Sequence, residues 1–328
     1  MAGKASGYVV GVDLGGTKTL AAVVASNGEI LCRVKAKTPV EQGPPGVLAA
    51  VATCVKDAIA ESKVSRSSVI GVGIGVPGPL DPVTGVVKIA PNLGWKDVPV
   101  KALLEKDVKL DVFVENDVNA GTVAEHRLGA GAGVNDLIGI FVGTGIGGGL
   151  IFGGRLHHGF GKVAGEIGHM IIEVNGPRCG CGNRGCFEAM ASRTAIVRDL
   201  ANAVAKGRKT VLTKMAGNGD LRQIGSSALA DAYRRGDKLA VKIIKRAARY
   251  CGIAVASLLN LLNPEMVVLG GGVVEALGAD YVNRVAKAAA KRTFDVTLEG
   301  VRIVPARLGD DAVFLGAACL ARERAAKD

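Results

Sequence analysis

The sequence predicts an α/β fold in two domains. Three observations lead there. Apolar β-branched runs alternate with stretches of helical periodicity, an arrangement of strand, glycine turn and strand occurs twice, and 328 residues favour two domains over one. Hydrophobic residues make up 48% of the chain, enough for real cores, and 47 glycines require many tight turns.

In chain order, residues 8–12 and 20–24 are apolar runs either side of a glycine turn. Residues 47–61 place Val47, Val51, Val55 and Ile59 at helical spacing. VIGVGIGV at 69–76 predicts a buried strand, and the PGPLDPVTG after it is turn-rich. DVFVE at 111–115 predicts another strand, with a helix from Asn116 through HRLG. Residues 137–153 repeat the opening arrangement. Residues 192–262 read as mostly helical, 266–269 and 301–305 as strands, and 311–325 as a last helix. The similar turns near residues 15 and 145 hint at a duplicated domain.

No apolar run approaches the ~20 residues of a membrane helix. The first apolar run leads straight into a glycine turn, so no signal-peptide core is expected, and the expected location is cytoplasmic. The net charge of +11 reads as dispersed, densest from Arg234 to Arg249. Aromatics are only 4%, so stacking on bases is poorly supplied and no nucleic-acid partner is expected. A solvated surface that draws in an anionic substrate accounts for the charge.

GVDLGGTK at 11–18 nearly matches the phosphate-loop pattern, with its last two residues reversed. A phosphate loop requires a helix after the lysine, and TLAAVV continues a strand instead. GTGIGG at 143–148 matches the dinucleotide fingerprint, but the GLIFGG after it is again strand-like, which excludes a nicotinamide dehydrogenase. Two hairpins with glycine tips remain. Either turn alone reads as a plain hairpin, or as a tip whose backbone N–H groups face one anion because glycine permits φ > 0 and close approach. The pair, with a third cluster GGG at 270–272, favours phosphates and a nucleotide. Thr17 and Thr144 add hydroxyl donors. Asp13 beside such a turn would repel phosphate unless a cation intervenes, which suggests Mg²⁺.

VFVENDVNA at 112–120 puts Asp117 where a strand ends and a helix begins. Asn116 or Asp117 would serve as helix N-cap. The other reading of Asp117 is a general base that accepts a proton from an attacking hydroxyl, since ligands of α/β sheets bind at the carboxyl ends of strands.

His169, Cys179, Cys181 and Cys186 fall within eighteen residues of a chain that has only four histidines. One imidazole and three thiolates make a closed tetrahedral Zn²⁺ site, structural because protein fills every position. Such a metal would fix a glycine-rich loop and the flanking Glu166 and Glu188. Cys32, Cys54, Cys251 and Cys319 stand singly in apolar segments and read as small buried hydrophobes.

Together the motifs resemble the ROK family of sugar kinases and repressors: DLGGTK (13–18), VPGPLD (76–81), PNLGW (91–95), ENDVNA (115–120), FVGTGIGGG (141–149), GEIGH (165–169), CGCGNRGCFE (179–188) and LGGG (269–272). Within the family the likeness is greatest to bacterial glucokinases. The resemblance implies an actin-like, hexokinase-type (ribonuclease H-like) fold of two α/β domains with an interdomain cleft. These would be residues 1–118 with a C-terminal helix in 311–328, and residues 119–310 with the zinc-binding loop. It implies ATP phosphates held by Asp13, Gly15, Gly16, Thr17, Lys18, Thr144, Gly145 and Gly147, with adenosine near Gly271. It implies Asp117 as catalytic base, and Asn92, Asn116, Asp117, Glu166, His169 and Glu188 as sugar contacts, His169 meeting sugar with one ring nitrogen and zinc with the other. A homodimer is the usual assembly.

The expected reaction is therefore phosphorylation of glucose at its 6-hydroxyl by Mg·ATP. The alternatives are another hexose or N-acetylhexosamine (N-acetylmannosamine, N-acetylglucosamine, mannose, allose, fructose), a polyphosphate donor, or a sugar-responsive ROK regulator. Repressors of the family carry a helix-turn-helix domain before the first turn, and the twelve residues before Asp13 are too few for one.

Overall fold

The computed structural model describes residues 7–216 and 220–326. The leader reading at 1–6, residues 217–219 of the expected helical stretch and the last two residues of 311–328 lie outside the described residues.

The chain runs β1 (Tyr8–Leu14), β2 (Lys18–Val24), β3 (Ile30–Lys37), α1 (Gly43–Ser62), β4 (Val69–Val76), β5 (Leu80–Asp81), β6 (Val86–Ala90), β7 (Trp95–Pro99), α2 (Val100–Val108), β8 (Val112–Asn116) and α3 (Asp117–Arg127). It continues through β9 (Leu137–Val142), β10 (Ile146–Phe152), β11 (Arg155–Leu156), α4 (Phe187–Ala191), α5 (Arg193–Ala205), α6 (Leu212–Met215), α7 (Ser226–Arg234) and α8 (Lys238–Leu262). It ends with β12 (Met266–Gly270), α9 (Gly272–Leu277), α10 (Ala279–Ala290), β13 (Arg302–Pro305) and α11 (Ala312–Ala325). Among the described residues, no helix is long and apolar enough to cross a membrane.

The described residues form two compact units, one from 7–133, 149–164 and 310–326, the other from 134–148, 165–216 and 220–309. The expected boundary at 118 falls inside the first of these units. Helix α3 and residues 149–164 belong to the first unit, because α11 packs along α3 and His158 bonds to Glu115.

The first unit's main sheet has the order β3-β2-β1-β4-β8. β2 is antiparallel to both β1 and β3, β4 is parallel to β1, and β8 is parallel to β4. The other five-stranded sheet has the order β11-β10-β9-β12-β13, with β12 parallel to β9 and β13. The two orders correspond strand for strand, so the duplication hinted at by the turns extends to topology.

The helical spacing read over 47–61 buries Val47, Val51, Val55 and Ile59 of α1 in the first unit's core. Helix α11 approaches the sheet at backbone distance. A Cβ on Gly11 of β1 would lie 2.0 Å from the Phe314 carbonyl oxygen, and one on Gly73 of β4 would lie 2.0 Å from that of Ala317. These glycines are required by lack of space.

Some elements are absent from the sequence reading. β3 alternates half-buried and exposed residues and carries Arg33, Lys35 and Lys37, as an edge strand does, so its apolar signal is weak. β6 and β7, in a small sheet with β5, are short and interrupted by Lys88, Lys96 and Asp97. Two single cysteines also depart from expectation. Cys54 and Cys251 are buried, but Cys32 and Cys319 are half-buried. Cys32 lies on the edge strand, its sulfur 3.7 Å from a Glu61 carboxylate oxygen.

Candidate active site

In the first unit, β8 hands over to α3 through Asn116 and Asp117, and the open question of the cap is resolved. Asn116 is the N-cap: its Oδ1 accepts the backbone N–H of Val118 and of Asn119, each at 3.0 Å. Its Nδ2 donates to Asp117 Oδ1 (3.0 Å) and to the Gly78 carbonyl (3.3 Å). Asp117 Oδ1 also accepts the Val118 N–H at 2.9 Å. The carboxylate thus sits in the first helical turn, where the helix dipole favours negative charge, with its direction set by Asn116.

Behind this pair lies Glu115, 2% exposed. Its Oε1 accepts the Asn116 N–H (3.1 Å) and the Asn119 amide (3.2 Å), and its Oε2 meets His158 Nε2 (2.9 Å) and Arg324 Nη2 (2.8 Å). Burial alone would raise this acid, but His158, Arg324 and Asn119 outweigh it and hold the carboxyl below its ordinary value. Two distant chain segments, around His158 and Arg324, so converge on the residue preceding the cap.

The first glycine turn closes through the Gly15 N–H and the Lys18 carbonyl (3.0 Å). Thr38 braces it, its hydroxyl donating to the Gly15 carbonyl (2.8 Å) and its N–H to the Thr17 carbonyl (3.2 Å). A Cβ on Gly16 would lie 3.0 Å from the Asn92 carbonyl oxygen, so the turn and the PNLGW segment abut. Lys18 Nζ reaches Asp310 at 3.4 Å. Asp13 is pushed up to about 7, first by burial and then by the Asp117 charge, with Lys18 opposing. Two carboxylates whose charges raise each other's cost in a partly dry setting are the chemistry that a divalent cation relieves, so these residues fit Mg²⁺.

In the second unit, the turn between β9 and β10 closes through the Gly143 N–H and the Gly145 carbonyl (2.9 Å). Arg193 and Thr194, at the start of α5, hold it. The Arg193 N–H donates to the Gly143 carbonyl (2.9 Å), its guanidinium donates to Thr144 Oγ1 (2.6 Å), and the Thr194 hydroxyl donates to the Thr144 carbonyl (2.7 Å). Glu188 Oε2 accepts the Ile146 N–H at 2.9 Å and would lie 2.3 Å from a Cβ on Gly145.

Of the two reasons expected for these glycines, close approach is the one these turns show: Gly15, Gly16, Gly145 and Gly147 are absent from the residues with left-handed φ, while a side chain at Gly16 would crowd the Asn92 carbonyl and one at Gly145 would displace the Glu188 carboxylate. Gly271, between β12 and α9, combines both demands: φ is 84° and a Cβ would lie 2.8 Å from the Val142 nitrogen.

His169, Cys179, Cys181 and Cys186 come together with all four ligand atoms within 4.8 Å of one another. The Cys181 and Cys186 sulfurs are 3.7 Å apart, and Cys179 Sγ is 3.8 Å from His169 Nδ1. Sulfurs about 2.3 Å from a tetrahedral ion stand about 3.8 Å apart, so the residues fit a closed four-ligand metal site. Burial and then the neighbouring thiols push Cys186 up to about 12, a cost that a bound cation removes. The other ring nitrogen of His169 is 4.0 Å from Glu166, so the imidazole stands between the cluster and an acid.

The ROK family model matches residues 9–324. The chain belongs to the ROK family. Its ROK relatives include a glucokinase of Thermotoga maritima, 36% identical over 96% of this chain and 98% of that one. A ROK glucokinase of Streptomyces griseus, solved with glucose and AMPPNP, is 37% identical, with a TM-score of 0.84 over 97% of this chain and 100% of that one. A putative xylose repressor of Caldicellulosiruptor is 30% identical over 94% of this chain and 77% of that one. The fold is accordingly the actin-like, hexokinase-type fold of ROK sugar kinases.

Sequence reasoning missed Arg193, Thr38 and the partners of Glu115. Arg193 carried a signal, following the CGCGNRGCFE segment by only a few residues, but nothing in the sequence placed it at the glycine turn.

Proposed function

We propose that the chain is a hexose kinase that transfers the γ-phosphoryl group of ATP to the 6-hydroxyl of glucose. The observation that carries this reading is the Asn116–Asp117 pair: a carboxylate just past the C-terminal end of strand β8, aimed by an amide that also caps the following helix. Asp117 accepts the proton of the sugar hydroxyl as that oxygen attacks phosphorus. The glycine turns at 13–18 and 143–149 hold the phosphates through backbone N–H groups, helped by Thr17, Lys18 and Thr144, and Gly271 lies at the adenosine. Asp13 would hold Mg²⁺, directly or through water, and the ion would supply charge neutralisation to the nucleotide. Asn92, Asn116, Glu166, His169 and Glu188 pair with sugar hydroxyls, a pattern that leaves polar groups unmatched by a wrong epimer. The cluster of His169, Cys179, Cys181 and Cys186 holds structural zinc. Glucose is favoured over other hexoses by the names of the relatives at about this identity.

The test is kcat/KM for a panel of hexoses and N-acetylhexosamines with Mg·ATP, beside the Asp117→Asn variant. Glucose should lead the panel, and the variant should bind glucose normally while losing turnover by at least a thousandfold, as expected of a general base acting with phosphate positioning. Unchanged turnover would remove Asp117 from the role. The repressor relative motivates one further measurement: tight, sequence-specific DNA binding in a gel shift would favour a regulator.

A further inference from the structure

Glu115 is a buried carboxylate that the proposed reaction does not use, and its holders are themselves firmly placed. Besides its bond to Glu115, Arg324 donates through Nη1 to the carbonyls of Val114 (3.3 Å) and Pro82 (3.4 Å). One guanidinium of the last helix so grips strand β8 and the 77–82 segment together. His158 arrives on the chain that follows β11. Arg127 of α3 ties this stretch down, donating to the Gly154 carbonyl (3.1 Å) and pairing with Glu323 of α11 (2.9 Å). The Ala164 N–H donates to the His158 carbonyl (3.0 Å) and closes the loop after it.

Burying such a network adds little net stability, because desolvating its groups costs about what their attraction returns. What it supplies is direction. His158 Nε2 meets Glu115 Oε2 (2.9 Å), Glu115 Oε1 accepts the Asn116 N–H (3.1 Å), and Asn116 Nδ2 donates to Asp117 Oδ1 (3.0 Å). This continuous series of hydrogen bonds ends on the carboxylate. Glu115 Oε1 also accepts the Asn119 amide (3.2 Å), which braces the first turn of α3. The Gly78 carbonyl, in the segment gripped by Arg324, accepts the Asn116 side-chain amide as well (3.3 Å). Asn116 is thus fixed at both its peptide and its side chain.

We infer that Glu115, held by His158 and Arg324, is a positioning residue for Asp117: through Asn116 it sets the direction in which that carboxylate meets the sugar hydroxyl. The inference rests on the proposed role of Asp117 as base. Without His158, Glu115 keeps Arg324 but loses a donor on Oε2, and its carboxylate is free to turn. A displacement of about 1 Å in a reacting group costs up to about a hundredfold in rate.

The experiment is a double-mutant cycle on turnover with the native protein, His158→Ala, Asp117→Asn and the double variant. His158→Ala should lower kcat about tenfold or more, with KM for Mg·ATP within about a factor of two. His158→Gln should recover most of the loss, because its amide N–H replaces the Nε2 donor. In the Asp117→Asn background, His158→Ala should cost no more than about twofold, since groups that act as one unit are not additive. A purely structural role would multiply the two losses, and that outcome overturns the inference, as does native turnover in His158→Ala. An equal loss in His157→Ala, whose exposed ring packs on Phe152, would assign the effect to the loop and overturn it too. Native turnover in Asp117→Asn instead removes the base itself, and the inference falls with that reading.

Discussion

Glu188 lies between Cys179 and the second glycine turn: one carboxylate oxygen is 3.7 Å from the Cys179 sulfur, and the other accepts the Ile146 N–H at 2.9 Å. The His–Cys cluster is therefore linked through Glu188 to the turn proposed to hold phosphate. Removing the metal should leave crowded thiols and free Glu188 to move. We predict one zinc ion per chain by elemental analysis. The Cys181→Ser variant should lose it, with a lower Tm and a kcat/KM reduced by roughly tenfold or more. A metal-free protein with native kinetics would show that the linkage has no bearing on turnover.

Asp13 makes stability depend on pH in a direction opposite to that of a salt-bridged acid. Burial and Asp117 raise it to about 7 in the fold, above its ordinary value. Over the interval between those values the folded state keeps a proton that the unfolded chain has released. The group's favourable contribution is thus complete below the ordinary value and lost as pH rises through about 7. In the ligand-free protein, Asp13→Asn should raise Tm at pH 8 by a few degrees and change it little at pH 4, while reducing kinase activity. Thermal scans at the two pH values decide this; an equal shift at both would assign the effect to packing.

Much of this was legible in the sequence because it was written in local chemistry. A strand after Lys18 and after the 143–148 turn excluded both helix-dependent phosphate motifs, and β2 and β10 occupy those positions. The His169–Cys186 cluster was legible from residue type and spacing alone. What was not legible depends on contacts between distant segments. Arg324 of the last helix reaches Glu115 across 209 positions, and Arg193 reaches Thr144 across 49. The choice of glycine at Gly16 and Gly145 likewise reflects neighbours, Asn92 and Glu188, that a turn pattern does not name.

Arg193 offers a cation directly on Thr144, and its guanidinium has donors to spare after that bond. Replacing it should affect nucleotide more than sugar. We predict that Arg193→Ala raises KM for Mg·ATP about tenfold, with KM for glucose within a factor of two, and that Arg193→Lys recovers part of the loss because the charge returns without the planar fork. Initial-rate kinetics with each substrate varied will separate the two. A change confined to glucose would place the residue elsewhere in the reaction.

The last helix tests how the first unit is held together. Gly11 and Gly73 each face a carbonyl of α11 at a distance no methyl group can share, 2.0 Å from Phe314 O and 2.0 Å from Ala317 O. Gly11→Ala or Gly73→Ala must therefore displace the helix, since a backbone carbonyl cannot rotate aside as a side-chain end does. Each should cost about 1–3 kcal/mol or more, read from the denaturant midpoint. The two lie under neighbouring turns of the same helix, so they share one remedy. Once α11 has moved to admit the first methyl, the second should cost less, and the double variant should be less destabilised than the sum. Strict additivity would mean that the helix yields locally at each glycine rather than moving as one rigid body.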